Sequence, residues 1–137
     1  GKSQTQEVFN KDVMADLTYA LKAVVNGGTG AAALSLGRPA AGKTGTSQSN
    51  ASAWFSAYTP QLAASVALFR DSASESLNGI GGLNSVTGGT FPAKIWTAFM
   101  KGALKDEPVM SFPQPSNIGG LDPVVMTSGG KQSMKKK

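Results

Sequence analysis

The sequence predicts a mixed α/β fold of the α+β type, an antiparallel sheet flanked by helices. Three observations predict it. Two segments, one opening after Asn10 and one at Pro92, repeat apolar residues at the three-four spacing of an amphipathic helix. Between them, from Ala41 to Arg70, three extended segments follow one another across short turns, the order of an antiparallel meander. The last of the three is apolar on both alternating faces, which asks for cover on two sides. With 137 residues, 40% of them hydrophobic, the chain can build one domain with a core. About three strands and two main helices make a small sheet for this duty, so strands from elsewhere are expected to complete it.

Element by element, residues 1 to 9 are polar and expected to fray. Asn10 is suited to cap a helix whose apolar stripe is Val13, Leu17, Ala20, Leu21 and Val24. Gly27-Gly28 ends it, with Gly27 expected in the left-handed C-cap position. Residues 29 to 40 are small and read as flexible, broken by Pro39. Ala41 to Ser47 reads as extended, residues 48 to 52 as a polar turn, and Ala53 to Tyr58 as a strand stopped by Pro60. Gln61 to Arg70 places Leu62, Ala64, Val66 and Leu68 on one face and Ala63, Ser65, Ala67 and Phe69 on the other. Residues 71 to 90 are glycine-rich and poor in large apolar side chains, hence a loop. Pro92 opens the second helix, with Ile95, Trp96, Phe99, Met100 and Leu104 as its stripe, and Trp96 and Phe99 are assigned to packing on the sheet. Residues 1–104 therefore form the folding unit. Residues 105–137, rich in Pro, Gly and Ser apart from Val124-Val125-Met126, read as linker and basic, disordered tail.

Composition excludes several chemistries. The chain has neither cysteine nor histidine, which removes thiol nucleophiles, Ser-His triads and zinc sites built on those ligands. No metal or cofactor is expected. The net charge of +5 is mostly a tail effect, because Lys131, Lys135, Lys136 and Lys137 close the chain and nine other basic residues face eight acidic ones. No basic stripe interleaves with aromatics, so nucleic acid is not an expected partner. No apolar run reaches the length of a membrane helix, and no signal-peptide pattern opens the chain. The first residue is Gly1, not Met, so any targeting information is expected upstream.

The densest motif is Gly42-Lys43-Thr44-Gly45-Thr46. It sets an ammonium, two hydroxyls and a step without a side chain along one extended edge, where a peptide ending in a carboxylate could add as a strand. The same stretch also satisfies the phosphate-loop pattern, as Gly37-Arg38-Pro39-Ala40-Ala41-Gly42-Lys43-Thr44. A phosphate loop needs a helix opening at its Lys-Thr, and Gly45 to Asn50 is poor in helix formers. A nucleotide-binding fragment stays as the alternative of a different class.

Taken with Ala53-Trp54-Phe55-Ser56-Ala57-Tyr58-Thr59-Pro60, Thr87-Gly88-Gly89-Thr90-Phe91-Pro92-Ala93-Lys94-Ile95-Trp96 and the earlier Asn26-Gly27-Gly28-Thr29-Gly30, the motif resembles the end of the transpeptidase domain of class A penicillin-binding proteins. These segments stand in the family's order over roughly residues 5 to 104. The resemblance implies a penicillin-binding, serine β-lactamase-like fold. The implied activity is a peptidoglycan D,D-transpeptidase that cross-links stem peptides through a serine acyl-enzyme and is trapped by β-lactams. It makes Lys43 the third-motif lysine, gives Thr44 and Thr46 hydroxyls for the substrate carboxylate, and leaves Gly45 as room for the substrate backbone. The Thr46 N–H becomes one oxyanion-hole donor. It also places the parent at the extracytoplasmic face of a bacterial membrane.

The family's other two motifs, Ser-x-x-Lys and Ser-x-Asn, belong upstream of the Lys-Thr-Gly and are not there. Ser133-Met134-Lys135-Lys136 and Ser76-Leu77-Asn78 spell them on the wrong side and are read as coincidence. Ser52 stands where the family often has Asp. The chain is therefore expected to be the C-terminal segment of a split or larger protein, inactive alone, whose partner segment brings the nucleophile. A penicillin-fold sensor without turnover is a further alternative.

Overall fold

The computed structural model describes residues 6–72 and 74–118. Helix α1 runs Lys11–Asn26, and Asn10 caps it by accepting a hydrogen bond from the Asp12 N–H at 2.7 Å. It closes at Gly27, whose N–H reaches the Ala23 carbonyl at 3.2 Å. The Gly27 φ is −169°, which is extended backbone and not the left-handed cap expected for it. The helix rests on its flank. Ala15, Thr18 and Val25 are buried, whereas Val13 and Leu17 of the apolar stripe are 49% and 46% exposed.

The small-residue stretch that follows is ordered, contrary to its flexible reading. Ala31–Leu36 forms a 3-10 helix that buries Ala33 and Leu36 in the main core. Gly37 ends it at φ 76°, a conformation that only glycine adopts without strain. Small side chains here allow the segment to lie close against the second helix.

Strands β1 (Ala41–Thr46), β2 (Ser52–Tyr58) and β3 (Ala63–Phe69) form an antiparallel sheet in the order β1-β2-β3. Helix α2, Phe91–Ala103, opens with Pro92 in its first turn and covers one face. That face carries Phe55 and Ala57, which are buried with Ala93, Trp96 and Met100 in one cluster. Trp96 stands edge-on to Phe55 with centroids 5.4 Å apart. Its Nε1–H donates to the carbonyls of Ala57 (3.2 Å) and Ala64 (3.1 Å), so one indole ties β2 to β3. Leu77 and Val86, from the segment read as a loop poor in large apolar side chains, are fully buried beside Ala53 in a second cluster.

Two burial expectations fail for one reason. The second face of β3, expected to be covered, leaves Phe69 68% exposed. In α2, Phe99 is 55% exposed while Trp96 packs as expected. A strand apolar on both sides, or a helix with a broad stripe, can bury only the part that meets a partner, and among the described residues each has one partner layer.

Beyond α2 the chain packs instead of departing. Arg38 holds the Leu104 carbonyl at 2.9 Å and Gln61 Nε2 donates to the Pro108 carbonyl at 2.6 Å. Phe112 is buried edge-on to Tyr58. The N–H groups of Ser116, Asn117 and Ile118 then converge on the Asp16 carboxylate at 2.6 to 2.9 Å. The Ile118 and Asn117 N–H groups are the main reason that the Asp16 carboxyl sits below its ordinary range. The expected linker is thus a strap across α1 as far as Ile118. Val124-Val125-Met126, Ser133-Met134-Lys135-Lys136 and the terminal lysines lie outside the described residues.

Candidate active site

Strand β1 lies at the border of the sheet, with β2 on one side and, among the described residues, no strand on the other. Gly42 lets it lie flat against its neighbour, because a Cβ there would be 2.7 Å from the Ser56 carbonyl oxygen and would overlap Ala57. The register pairs Lys43 with Ser56, Thr44 with Phe55, Gly45 with Trp54 and Thr46 with Ala53. Side chains alternate across a strand, so Thr44 and Thr46 share the Phe55 face, while Lys43 and Gly45 share the opposite face with Trp54 and Ser56. The hairpin closes with Ser47 N–H bonded to the Ser52 carbonyl at 3.0 Å. Counting back in steps of two, Gly45 and Lys43 direct their backbone bonds to β2, and Thr44 and Thr46 direct theirs to the free edge.

The edge therefore offers the N–H and C=O groups of Thr44 and Thr46 to an incoming strand. The Lys43 side chain is exposed and bends over this edge, donating to the Thr44 carbonyl at 2.8 Å. Two further segments close around the threonines. The Thr29 and Thr44 hydroxyls are 2.6 Å apart. The Gly88 N–H donates to the Thr46 hydroxyl oxygen at 3.3 Å. A Cβ on Gly88 would overlap the Trp54 carbonyl oxygen and lie 2.9 Å from the N and O of Gly45. A Cβ on Gly89 would overlap the Thr29 carbonyl oxygen. The Thr87–Thr90 corner, clamped by the Thr90 hydroxyl donating to the Thr87 carbonyl at 2.7 Å, is thus pressed against β1 without a side chain between them.

All four site residues expected from the sequence, Lys43, Thr44, Gly45 and Thr46, fall on this strand. Thr29 and Gly88 were legible only as parts of family-like segments, with no role attached. What brings them to the strand is long-range packing. The phosphate-loop alternative fails here, because a strand occupies Lys43-Thr44 where a helix had to begin. Ser76-Leu77-Asn78 is structural, as Leu77 is buried and the Asn78 side-chain oxygen accepts from Asn50 Nδ2 at 2.7 Å. Ser52, at the family's usual Asp position, accepts from Trp54 Nε1 at 3.2 Å. Among the described residues no three acidic side chains gather as a metal site.

Comparison with known proteins decides the family. The profile of the penicillin binding protein transpeptidase domain matches residues 1–77, more than half of the chain. The chain belongs to the penicillin-binding protein transpeptidase family. It is similar to penicillin-binding protein 1A of Mycolicibacterium smegmatis, 36% identical over 120 residues, and to that of Pseudomonas aeruginosa, 38% identical over 111 residues. These matches cover 84% and 79% of this chain but only 15% and 13% of the relatives, so the chain spans a small part of their length. Among solved structures it is similar to the penicillin-binding protein PonA1 of Mycobacterium tuberculosis, with a TM-score of 0.73 and 30% identity. That match covers 92% of this chain and 34% of PonA1. A structure of PonA1 in complex with penicillin V matches with a TM-score of 0.72 at 34% identity, over 80% of this chain and 30% of that one. The mixed α/β fold with a three-stranded antiparallel sheet is therefore that of a penicillin-binding transpeptidase domain.

Proposed function

We propose that this chain is the C-terminal segment of a peptidoglycan D,D-transpeptidase domain and supplies one wall of its acyl-transfer site. The observation that carries the reading is the free edge of β1, where an ammonium, two hydroxyls and outward backbone groups stand within four residues. A stem peptide ending in D-Ala-D-Ala would add to that edge as a strand. Its terminal carboxylate would accept hydrogen bonds from the Thr44 and Thr46 hydroxyls, in the field of the Lys43 ammonium. Charge-assisted bonds of this kind are about twice as strong as neutral ones.

The nucleophile serine belongs to another segment, with the Ser-x-x-Lys and Ser-x-Asn motifs. Its oxygen attacks the penultimate D-Ala carbonyl, and the outward Thr46 N–H stabilises the oxyanion that forms. The C–N bond then breaks, the terminal D-Ala leaves with the proton taken from the serine, and an acyl-enzyme remains. An amine from a neighbouring stem peptide attacks this ester and releases the serine, which completes the cross-link. A β-lactam follows the first step, but its leaving nitrogen stays tethered by the opened ring, so the ester persists. PonA1, with penicillin V in its structure, supports a β-lactam as ligand.

By this reading the chain is inactive alone and works at the outer face of a bacterial membrane, anchored by other parts of its protein. No helix among the described residues is itself long and apolar enough to cross a membrane. The test is mass spectrometry after treatment with benzylpenicillin. This chain by itself should gain no adduct, and the protein that also contains the Ser-x-x-Lys segment should gain one, on that segment's serine. An adduct on this chain, or none on either, refutes the proposal.

A further inference from the structure

We propose that Thr29 is a positioning residue for carboxylate recognition, acting through Thr44; this rests on the transpeptidase reading above. A hydroxyl carries one proton and two acceptor lone pairs. Alone on an edge, a threonine hydroxyl can turn its proton toward the nearest carbonyl or toward water. The two hydroxyls at 2.6 Å cannot do this independently. One of their two protons is committed between them, and a single proton remains for a ligand.

Either hydroxyl of the pair can donate, and the proposal makes Thr29 the donor: Thr44 then has an acceptor site filled and its own O–H turned outward. Thr46 is treated in the same way by a different donor, since the Gly88 N–H fills one of its acceptor sites and leaves its O–H free. Both threonines of the edge are thereby set as donors, which suits an anion and offers little to a ligand with hydrogens to give. The relay also polarises the outer O–H, as linked hydrogen bonds strengthen one another.

Thr29 is held for this task. Its carbonyl oxygen lies where a Gly89 side chain would be, and the Gly30 N–H that follows closes onto the Val24 carbonyl at 2.9 Å. The corner is fixed from α1 on one side and from the Thr87–Thr90 corner on the other. The Thr29 side chain itself is exposed, so its hydroxyl is not needed to satisfy a buried group.

The test compares Thr29→Val, which keeps the shape and removes the hydroxyl, with Thr29→Ser, which keeps the hydroxyl. Both are made in the full transpeptidase that contains this chain and the nucleophile segment. The probes are benzylpenicillin and its methyl ester, and acylation is resolved into a binding step and a chemical step. Thr29→Val should weaken binding of the free acid about tenfold, the worth of one hydrogen bond to a charged group. Thr29→Ser should stay within about twofold of the wild type, and the ester should respond to neither change. Equal losses for acid and ester would mark Thr29 as merely structural and overturn the proposal. Unchanged binding of the acid by Thr29→Val, or loss in Thr29→Ser as large as in Thr29→Val, would do the same. A wild-type protein that benzylpenicillin does not acylate sinks the underlying reading instead, and the inference with it.

Discussion

Gly88→Ala should impair acylation strongly in a protein that still folds. The new methyl group would overlap the Trp54 carbonyl oxygen and lie 2.9 Å from both the N and O of Gly45. Those atoms belong to the β1–β2 ladder and cannot swing aside as a side-chain tip would, so the Thr87–Thr90 corner must retreat. Ordinary contact requires a retreat of about 1 Å. That distance breaks the 3.3 Å bond from the Gly88 N–H to the Thr46 hydroxyl and lets β1 shift at its free edge. Overpacking of this kind costs about 1–3 kcal/mol of stability. A misplacement of about 1 Å at a reacting centre costs on the order of a hundredfold in rate. The assay is benzylpenicillin acylation by the full transpeptidase, run beside thermal unfolding of the same samples. Gly102→Ala serves as the control, because nothing lies within 4 Å of a Cβ there and the residue is in α2. It should leave acylation unchanged and stabilise by about 0.5–1 kcal/mol. If Gly88→Ala acylates at the wild-type rate, the corner does not set the strand, and the reasoning fails.

Trp96→Phe keeps the aromatic contact with Phe55 but removes the indole donor that the ladder-bonded Ala57 and Ala64 carbonyls share, and should destabilise by about 0.5–1.5 kcal/mol in urea unfolding; a value near zero would show that the indole bridge is idle. Lys43→Gln should lower acylation about a hundredfold or more with little change in melting temperature, because among the described residues the exposed side chain hydrogen-bonds to the Thr44 carbonyl alone. A drop in melting temperature that tracks the loss would point to structure instead. The strap should be sensitive to acid. Asp16 has its carboxyl lowered from 3.8 by the Ile118 and Asn117 N–H groups, so its contribution is present above that value and fades as pH falls through the lower folded value. NMR amide shifts of Ser116 to Ile118 should move together in that range, and should already be displaced at neutral pH in Asp16→Asn. Amides that titrate near pH 6, or ignore Asp16→Asn, would break the link.

Sequence alone determined the two main helices, the three strands and the strand that carries the proposed site. Asn10 as a cap, Pro92 in a first turn and the alternation across Ala53–Tyr58 act over a few residues, where rotamer, hydrogen-bond and packing preferences are already decided. The proposed site, Lys43 to Thr46, could be read from the sequence because its residue types and spacing lie along one strand. Tertiary structure decided which apolar faces are buried. Val13, Phe69 and Phe99 belong to convincing stripes yet stay exposed, whereas Leu77 and Val86, scattered through a glycine-rich stretch, fill a core. Burial depends on which surface arrives from a distance, and periodicity carries no record of that. The Thr29–Thr44 and Gly88–Thr46 contacts are of the same kind, joining positions 15 and 42 residues apart, and the strap on Asp16 joins positions about a hundred apart. Only the folded path of the chain brings such groups within hydrogen-bond reach.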